Sequence, residues 1–285
     1  MTKVYLNGTY VAREDARIPV EDRGFLFGDG IYEVVRVIEG RLFAWDAHAA
    51  RMANGLAGLR IRQDGAESAT LRAVCERLVK ENGLATGEAT VYLQVTRGAA
   101  PRIHHFPPAD TPTTVFGSTA RFTPNVAMRT NGAKGITLPD IRWSRCDLKT
   151  VNLLGAVLAR QAAQEAGAYE ALFHRDGMVT EGAATNAFMV VGGVLRTYPL
   201  CHYILPGITR MEIVSLAHEL GIPLEERPVS LSDLPRVDEL FVCGTTTDVQ
   251  AIVELDGEPI ANGKPGPVTV RLREALTRRL MAGAA

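Results

Sequence analysis

The chain has five lysines, and one of them, Lys149, stands in Arg145-Cys146-Asp147-Leu148-Lys149-Thr150-Val151-Asn152-Leu153-Leu154. It alone is followed at once by an apolar run, Val151 to Leu158, that reads as helix. Its amine is therefore the one expected to be partly desolvated and nucleophilic at neutral pH. A solvated lysine at a helix start has the same local spelling. Glu181 follows in Val179-Thr180-Glu181-Gly182-Ala183-Ala184-Thr185-Asn186-Ala187-Phe188. An amine can hold an aldehyde as a Schiff base, and a carboxylate can keep a pyridine nitrogen protonated so that the ring acts as an electron sink. Those are the two demands of a pyridoxal phosphate enzyme.

A phosphate group needs backbone N–H donors, hydroxyls and a cation or two, and a helix start supplies the first. Leu205-Pro206-Gly207-Ile208-Thr209-Arg210 has that form, as does an ordinary helix start capped by Thr209. Gly244-Thr245-Thr246-Thr247, at the end of a predicted strand, is a second candidate, with turn packing as the plain alternative. Arg51, on a helix that Asp46 should open as N-cap, offers a guanidinium, although helix arginines commonly face solvent. The run Glu21 to Glu33 forces a tight loop before a strand at whose start Tyr32 emerges. Arg102-Ile103-His104-His105 lies in Gly98 to Pro112, which holds four prolines and reads as a long loop. In extended backbone Arg102 and His104 leave on one side, as a clamp for a carboxylate would, or as surface charges do.

These residues are set in mixed strands and helices. Val4 to Val11 reads as a hairpin about Asn7-Gly8, and Tyr32 to Phe43 as a strand pair turning near Glu39-Gly40. Helices are expected over Ala47 to Leu56, Ala66 to Glu81, Asn152 to Ala166, Thr209 to Leu220 and Val268 to Met281. Strands are expected at Val91 to Thr96, Thr114 to Gly117, Glu239 to Cys243 and, with turns at Asp176-Gly177 and Gly192-Gly193, from Glu170 to Arg196. Strict βαβ alternation is missing, which favours two α+β domains over a doubly wound sheet. The division expected is a domain over 1–120, a linker over 121–130 around Phe122-Thr123-Pro124-Asn125, and a domain over 131–285.

Composition narrows the partners. A net charge of -1, with arginines interspersed among acids, gives no footprint for nucleic acid or an anionic membrane. Small molecules are the expected partners. Cys75, Cys146, Cys201 and Cys243 are scattered without metal-ligand spacing, as reduced thiols in a cytoplasm would be, and no metal is expected. The first residues pass straight into strand and turn signals, with no leader pattern, and no window approaches a membrane span.

In these residues the chain resembles the fold type IV pyridoxal phosphate transaminases, and within them D-amino acid transaminases. The likeness covers nearly the whole length, with Glu21 to Val35, Gln94 to Pro107, Asp140 to Leu158, Val179 to Phe188, Ile204 to Arg210 and Glu239 to Thr246 in family order. It implies a two-domain α+β fold, a smaller N-terminal α/β domain and a larger C-terminal α+β domain, with pyridoxal 5'-phosphate at their interface. It further implies Lys149 as the Schiff-base lysine and proton shuttle, Glu181 as the partner of the pyridine nitrogen, and Arg51, Ile208, Thr209 and Thr245 as the phosphate cup. Leu205 would pack against the cofactor, and Trp143 and Thr246 would lie at the substrate. Tyr32, Arg102 and His104 match a carboxylate trap whose arginine and histidine reach over from the other subunit, so a homodimer is implied. The activity implied is transfer of an amino group from a D-amino acid to a 2-oxo acid. Branched-chain L-amino acid or (R)-amine transamination, and aminodeoxychorismate lysis, occur on the same fold and stay open here.

Overall fold

The computed structural model describes residues 2–282, which divide into two compact units. The first runs to Thr123 and takes in Leu148–Leu153; the second comprises Pro124–Asp147 and Leu154–Ala282. Residues 148–153, which sequence position alone assigned to the C-terminal part, thus group with the first unit.

The first unit contains β1 (Lys3–Leu6), β2 (Thr9–Ala12), α1 (Arg23–Phe27), β3 (Gly30–Ile38), β4 (Arg41–Leu42), α2 (Trp45–Leu59), α3 (Ser68–Glu81), β5 (Glu88–Thr96) and β6 (Thr114–Arg121). Its strands form one antiparallel sheet in the order β2-β1-β6-β5-β3-β4. The turn at Asn7-Gly8 has both residues at positive φ, 46° and 90°, as a two-residue hairpin turn requires. Period-two alternation sends Ile31, Val35, Val91, Leu93 and Val95 to one face, against Met52, Leu56, Val74 and Leu78 of the two long helices. The opposite face carries Tyr32, Val34, Tyr92, Gln94 and Phe116, all only half-buried.

Asp46 does not cap α2. The helix starts at Trp45, with Ala44 at the cap position in a left-handed conformation (φ 49°) and no side-chain cap. Trp45 is buried and donates its indole N–H to Ser68 Oγ at 3.2 Å, so core packing of the indole sets the start and Asp46 falls in the first turn.

The second unit contains α4 (Val126–Asn131), β7 (Ala133–Pro139), α5 (Leu154–Glu165), β8 (Glu170–Arg175), β9 (Met178–Gly182), β10 (Asn186–Val191), β11 (Val194–Thr197), α6 (Ile208–Glu219), β12 (Leu224–Glu226), β13 (Val229–Ser230), β14 (Glu239–Gly244), β15 (Asp248–Leu255), β16 (Glu258–Pro259) and α7 (Pro267–Ala282). Its sheet runs β12-β11-β10-β14-β15-β7-β8-β9-β13, with β16 paired to β15. A single pair, Asn186 with Glu181, links β10 back to β9 and closes the pairing into a ring. The later half of the interval expected as linker, 121–130, is helical: α4 starts at Val126 and is capped by the Asn125 side chain, which accepts from Met128 N at 3.0 Å.

The helical run predicted from Val151 begins only at Leu154. Its buried stripe is Ala156, Ala159 and Ala163, packed on Ala171 and Phe173, whereas Leu154, Val157 and Leu158 are exposed. The bulkiest residues of the run therefore do not desolvate Lys149 by forming a core-facing helix.

Candidate active site

Lys149 is placed by strand pairing. Leu148 sinks into the core of the first unit, Lys149 O accepts from Tyr32 N at 3.0 Å, Ile31 bridges Thr150, and Val151 N donates to Gly30 O at 3.0 Å. The segment 148–153 thus runs as an added edge beside the start of β3. Lys149 is half-buried, and its Nζ lies 4.3 Å from the centroid of the Tyr32 ring. Tyr32 is in turn stacked on Tyr92, with centroids 5.7 Å apart and planes 26° apart, and Tyr92 donates its hydroxyl to Gln94 Oε1 at 2.7 Å. Burial, and then the neighbouring Tyr32, push the Tyr92 hydroxyl up to about 12. The Lys149 amine thus lies against one ring of a stacked tyrosine pair.

On the core face of the same unit, Arg51 meets two residues that had no role in the sequence reading. Glu33 Oε1 accepts from Arg51 Nε at 2.7 Å, and Oε2 accepts from Arg51 Nη2 and lies against His48 Nδ1, each at 2.7 Å. Burial alone would raise the Glu33 carboxyl, but the hydrogen bonds from Arg51 and His48 override it and bring the carboxyl to about 2. Burial lowers His48 against the pull of Glu33, so the imidazole is neutral and donates from Nδ1. The signal for this cluster was available. Glu33 occupies a position between Ile31 and Val35 that the strand period assigns to the core, and His48 and Arg51 share a helix face.

In the second unit Glu181 is 2% exposed and held on both oxygens. Oε1 accepts from Arg142 Nη1 at 2.8 Å; Oε2 accepts from Asn186 Nδ2 and Leu205 N, each at 3.0 Å. Arg142 is shared with Asp140, through Nε and Nη2 at 2.9 Å, and Arg175 Nε donates to Asp140 at 2.9 Å. With Arg142 divided between two acids, burial prevails and raises Glu181 to about 7. A positive ring nitrogen would restore the carboxylate.

Asn186 continues the connection by donating to Leu205 O at 2.9 Å. Gly207 sits so close that a Cβ there would meet Asn186 Oδ1 at 2.0 Å. Gly207 is the N-cap of α6 and gives no side-chain cap, so the alternative of an ordinary helix start capped by Thr209 is not what the helix adopts, and its first N–H groups, at Ile208 and Thr209, have no capping side chain. Gly244, before Thr245, approaches Ala184 O and Thr185 Cγ2, so the 244–247 turn lies beside the turn that follows Glu181. Thr245 is half-buried, Thr246 exposed, and Trp143 39% exposed.

Arg102 and His104 do leave their loop on one side: both rest on Phe27, at 5.3 and 5.8 Å from its centroid. Among the described residues, no hydrogen bond, ion pair or ring contact joins either to Tyr32 or Lys149 of the same chain. His105 turns its Nδ1 to Phe106 O at 3.0 Å.

The donor set fits pyridoxal phosphate: a primary amine, a buried carboxyl already hydrogen-bonded, an uncapped helix start and a guanidinium. Residues 30–255 match the amino-transferase class IV family. The chain is 40% identical over 281 residues to the D-alanine aminotransferase of Staphylococcus aureus (strain N315), covering 98% of each. Its fold is similar to the branched-chain amino acid aminotransferase of Escherichia coli, with TM-score 0.90 and 26% identity over 96% of this chain and 93% of that one. It is similar, too, to the T.th. branched-chain amino acid aminotransferase solved with pyridoxamine 5'-phosphate, with TM-score 0.89 and 26% identity over 98% and 94%. The expected fold type IV architecture is thereby confirmed. A family match across most of the length, joined by a near full-length relative, settles the kinship: the chain belongs to the class IV aminotransferases.

Proposed function

We propose that this protein moves the amino group of a D-amino acid such as D-alanine to a 2-oxo acid such as 2-oxoglutarate, using pyridoxal 5'-phosphate held covalently by Lys149. The observation that carries the reading is the Lys149 amine fixed over the Tyr32 ring. When bound, the cofactor supplies an electron sink for the charge left by removal of the α-proton. Lys149 would hold the cofactor and, as the base at the site, would take up and give back the substrate's α-proton. Glu181 keeps the ring nitrogen protonated, while Arg142 and Asn186 hold its two oxygens in place. Arg51, with the N–H groups of Ile208 and Thr209 and the Thr245 hydroxyl, binds the phosphate; Glu33 orients Arg51. Leu205 packs on the cofactor, and Thr246 and Trp143 border the substrate.

Tyr32, Arg102 and His104 grip the substrate carboxylate and so choose which face of the α-carbon meets the lysine. Since Arg102 and His104 rest on Phe27 and, among the described residues, share no hydrogen bond, ion pair or ring contact with Tyr32 of their own chain, we assign them to a second copy's site, and the working unit to a homodimer. The four cysteines are unpaired, as a cytoplasmic location would keep them. No helix among the described residues is long and apolar enough to cross a membrane.

The test is an absorption spectrum of the purified holoenzyme with D-alanine or L-leucine added. Loss of the cofactor's visible band with D-alanine alone, restored by 2-oxoglutarate, is expected. Loss with L-leucine alone would refute the D assignment and the role given to Arg102 and His104.

A further inference from the structure

The charged side chains Arg23 and Asp29 of the run Asp22-Arg23-Gly24-Phe25-Leu26-Phe27-Gly28-Asp29 have no role in the reading above, yet with Arg97 they form a largely buried charge cluster. Arg23 is 3% exposed and Arg97 8%. Both close on one carboxylate. Asp29 Oδ2 accepts from Arg23 Nε at 2.9 Å and from Arg97 Nε at 2.8 Å, and Oδ1 accepts from Arg97 Nη2 at 2.9 Å.

From this cluster one donor and one ring contact reach the loop that bears Arg102 and His104. Arg23 Nη1 donates at 2.7 Å to the carbonyl of Ile103, the residue between them. The Arg97 guanidinium lies 3.7 Å from the centroid of Phe106, further along the loop, and donates to the carbonyls of Arg60 at 2.9 Å and Leu59 at 2.7 Å, where α2 ends. The loop's entry is fixed by backbone bonds, Arg23 N to Gly98 O at 2.9 Å and Ala100 N to Glu21 O at 3.3 Å. Arg23 also lies 4.7 Å from the centroid of Phe27, the ring on which Arg102 and His104 rest.

An apolar contact would hold a loop with less desolvation. What the guanidinium adds is register, because it locks one carbonyl at one place. With Ile103 O fixed, alternation sends residues 102 and 104 out together on the Phe27 side.

We propose that Arg23, Asp29 and Arg97 are positioning residues: a buried hub that sets Arg102 and His104 for carboxylate recognition. The proposal rests on the reading of those two as the carboxylate grip.

The main variant is Arg23→Gln, which cuts the link to Ile103 O and leaves Asp29 paired with Arg97. In the holoenzyme, KM for both D-alanine and 2-oxoglutarate should rise about tenfold with kcat within about twofold, as for a lost uniform binding contact. Amides of residues 99–112 should exchange hydrogen faster, with the cofactor's absorption unchanged. Phe106→Ala, at a position 44% exposed, is the milder variant that folding tolerates. It should raise both KM values by about threefold, the size of a partly exposed cation–π contact. Unchanged KM values in the folded variants overturn the hub, whatever the loop's exchange. Arg102→Ala, measured alongside, separates the two ideas. If it is silent while Arg23→Gln is not, the role of Arg102 fails and the hub acts through His104.

Discussion

Replacing Glu33 with glutamine keeps its shape and one acceptor oxygen but removes the charge that faces Arg51 twice and His48 once, all at 2.7 Å. Glu33 is 1% exposed and the Arg51 side chain 9%, so water does little to make good the loss. Leaving one partner of a buried pair uncompensated costs about 3–5 kcal/mol. Linkage gives a similar figure: a carboxyl brought from 4.5 to about 2 contributes about 3 kcal/mol at neutral pH. The sign follows from a depressed value. The contribution is complete above the unfolded value of 4.5 and fades as pH falls toward 2. The wild type should have lost about 2 kcal/mol of it by about pH 3, whereas glutamine does not titrate. The gap between the two proteins should therefore narrow as the solution is acidified. Trp143→Phe leaves Trp45, buried in the first unit, as sole tryptophan reporter, since the chain has two. Urea unfolding followed by its fluorescence gives the free energy at each pH. A variant within about 1 kcal/mol of wild type at neutral pH, or a gap that does not change with pH, would refute the account, since a deleted buried charge costs more than that.

Glu181 predicts the opposite sign. Its carboxyl is raised to about 7, so the folded cofactor-free protein holds the proton more tightly than the unfolded chain, and stability falls as pH climbs from 4.5 through 7. The loss should be about 3 kcal/mol and should vanish in Glu181→Gln; parallel stability profiles for the two apoproteins would exclude it. Lys149→Ala should reduce D-alanine turnover by roughly 10³-fold or more, the range for a lost proton-transfer group. It should also abolish the mass gain that borohydride leaves on the holoenzyme. A retained adduct would move the covalent role to another lysine.

Much of the scaffold was legible because its punctuation is local. Asn7-Gly8, Glu39-Gly40 and Asp176-Gly177 all turn at positive φ in both residues, a demand that few residue types meet, and each joins two paired strands. The stripe of α3, Leu71, Val74, Cys75, Leu78 and Val79, is likewise read off its own period. Where local reading failed, a longer-range contact had intervened. Asp46 lost the cap to the burial of Trp45. The apolar run after Lys149 looked like a core helix, but its first residues pair with β3 and its helix buries alanines. Nothing within Asp140-Ile141-Arg142 announces that the arginine will close on Glu181, since what joins them is the pairing of β7 with β8 and of β8 with β9.

The groups that matter most nonetheless left a trace, as conflicts between residue type and position. Glu33 puts a carboxylate where the period of β3 calls for an apolar side chain. Glu181 does the same on β9, whose neighbours Val179 and Thr180 are buried too. Arg23 and Asp29 stand in a short glycine-rich run where solvated charges would be ordinary, yet they are drawn inward on Arg97. A buried charge carries a desolvation cost, which a protein keeps only with a partner or a task. Core-position acids in a strand are therefore the places at which to look for an arginine from elsewhere in the chain. In Glu33 and Glu181 that rule leads to Arg51 and Arg142, one contacted from the next helix and one from a strand end far earlier in sequence. The period locates the acid; only the fold identifies the cation that answers it.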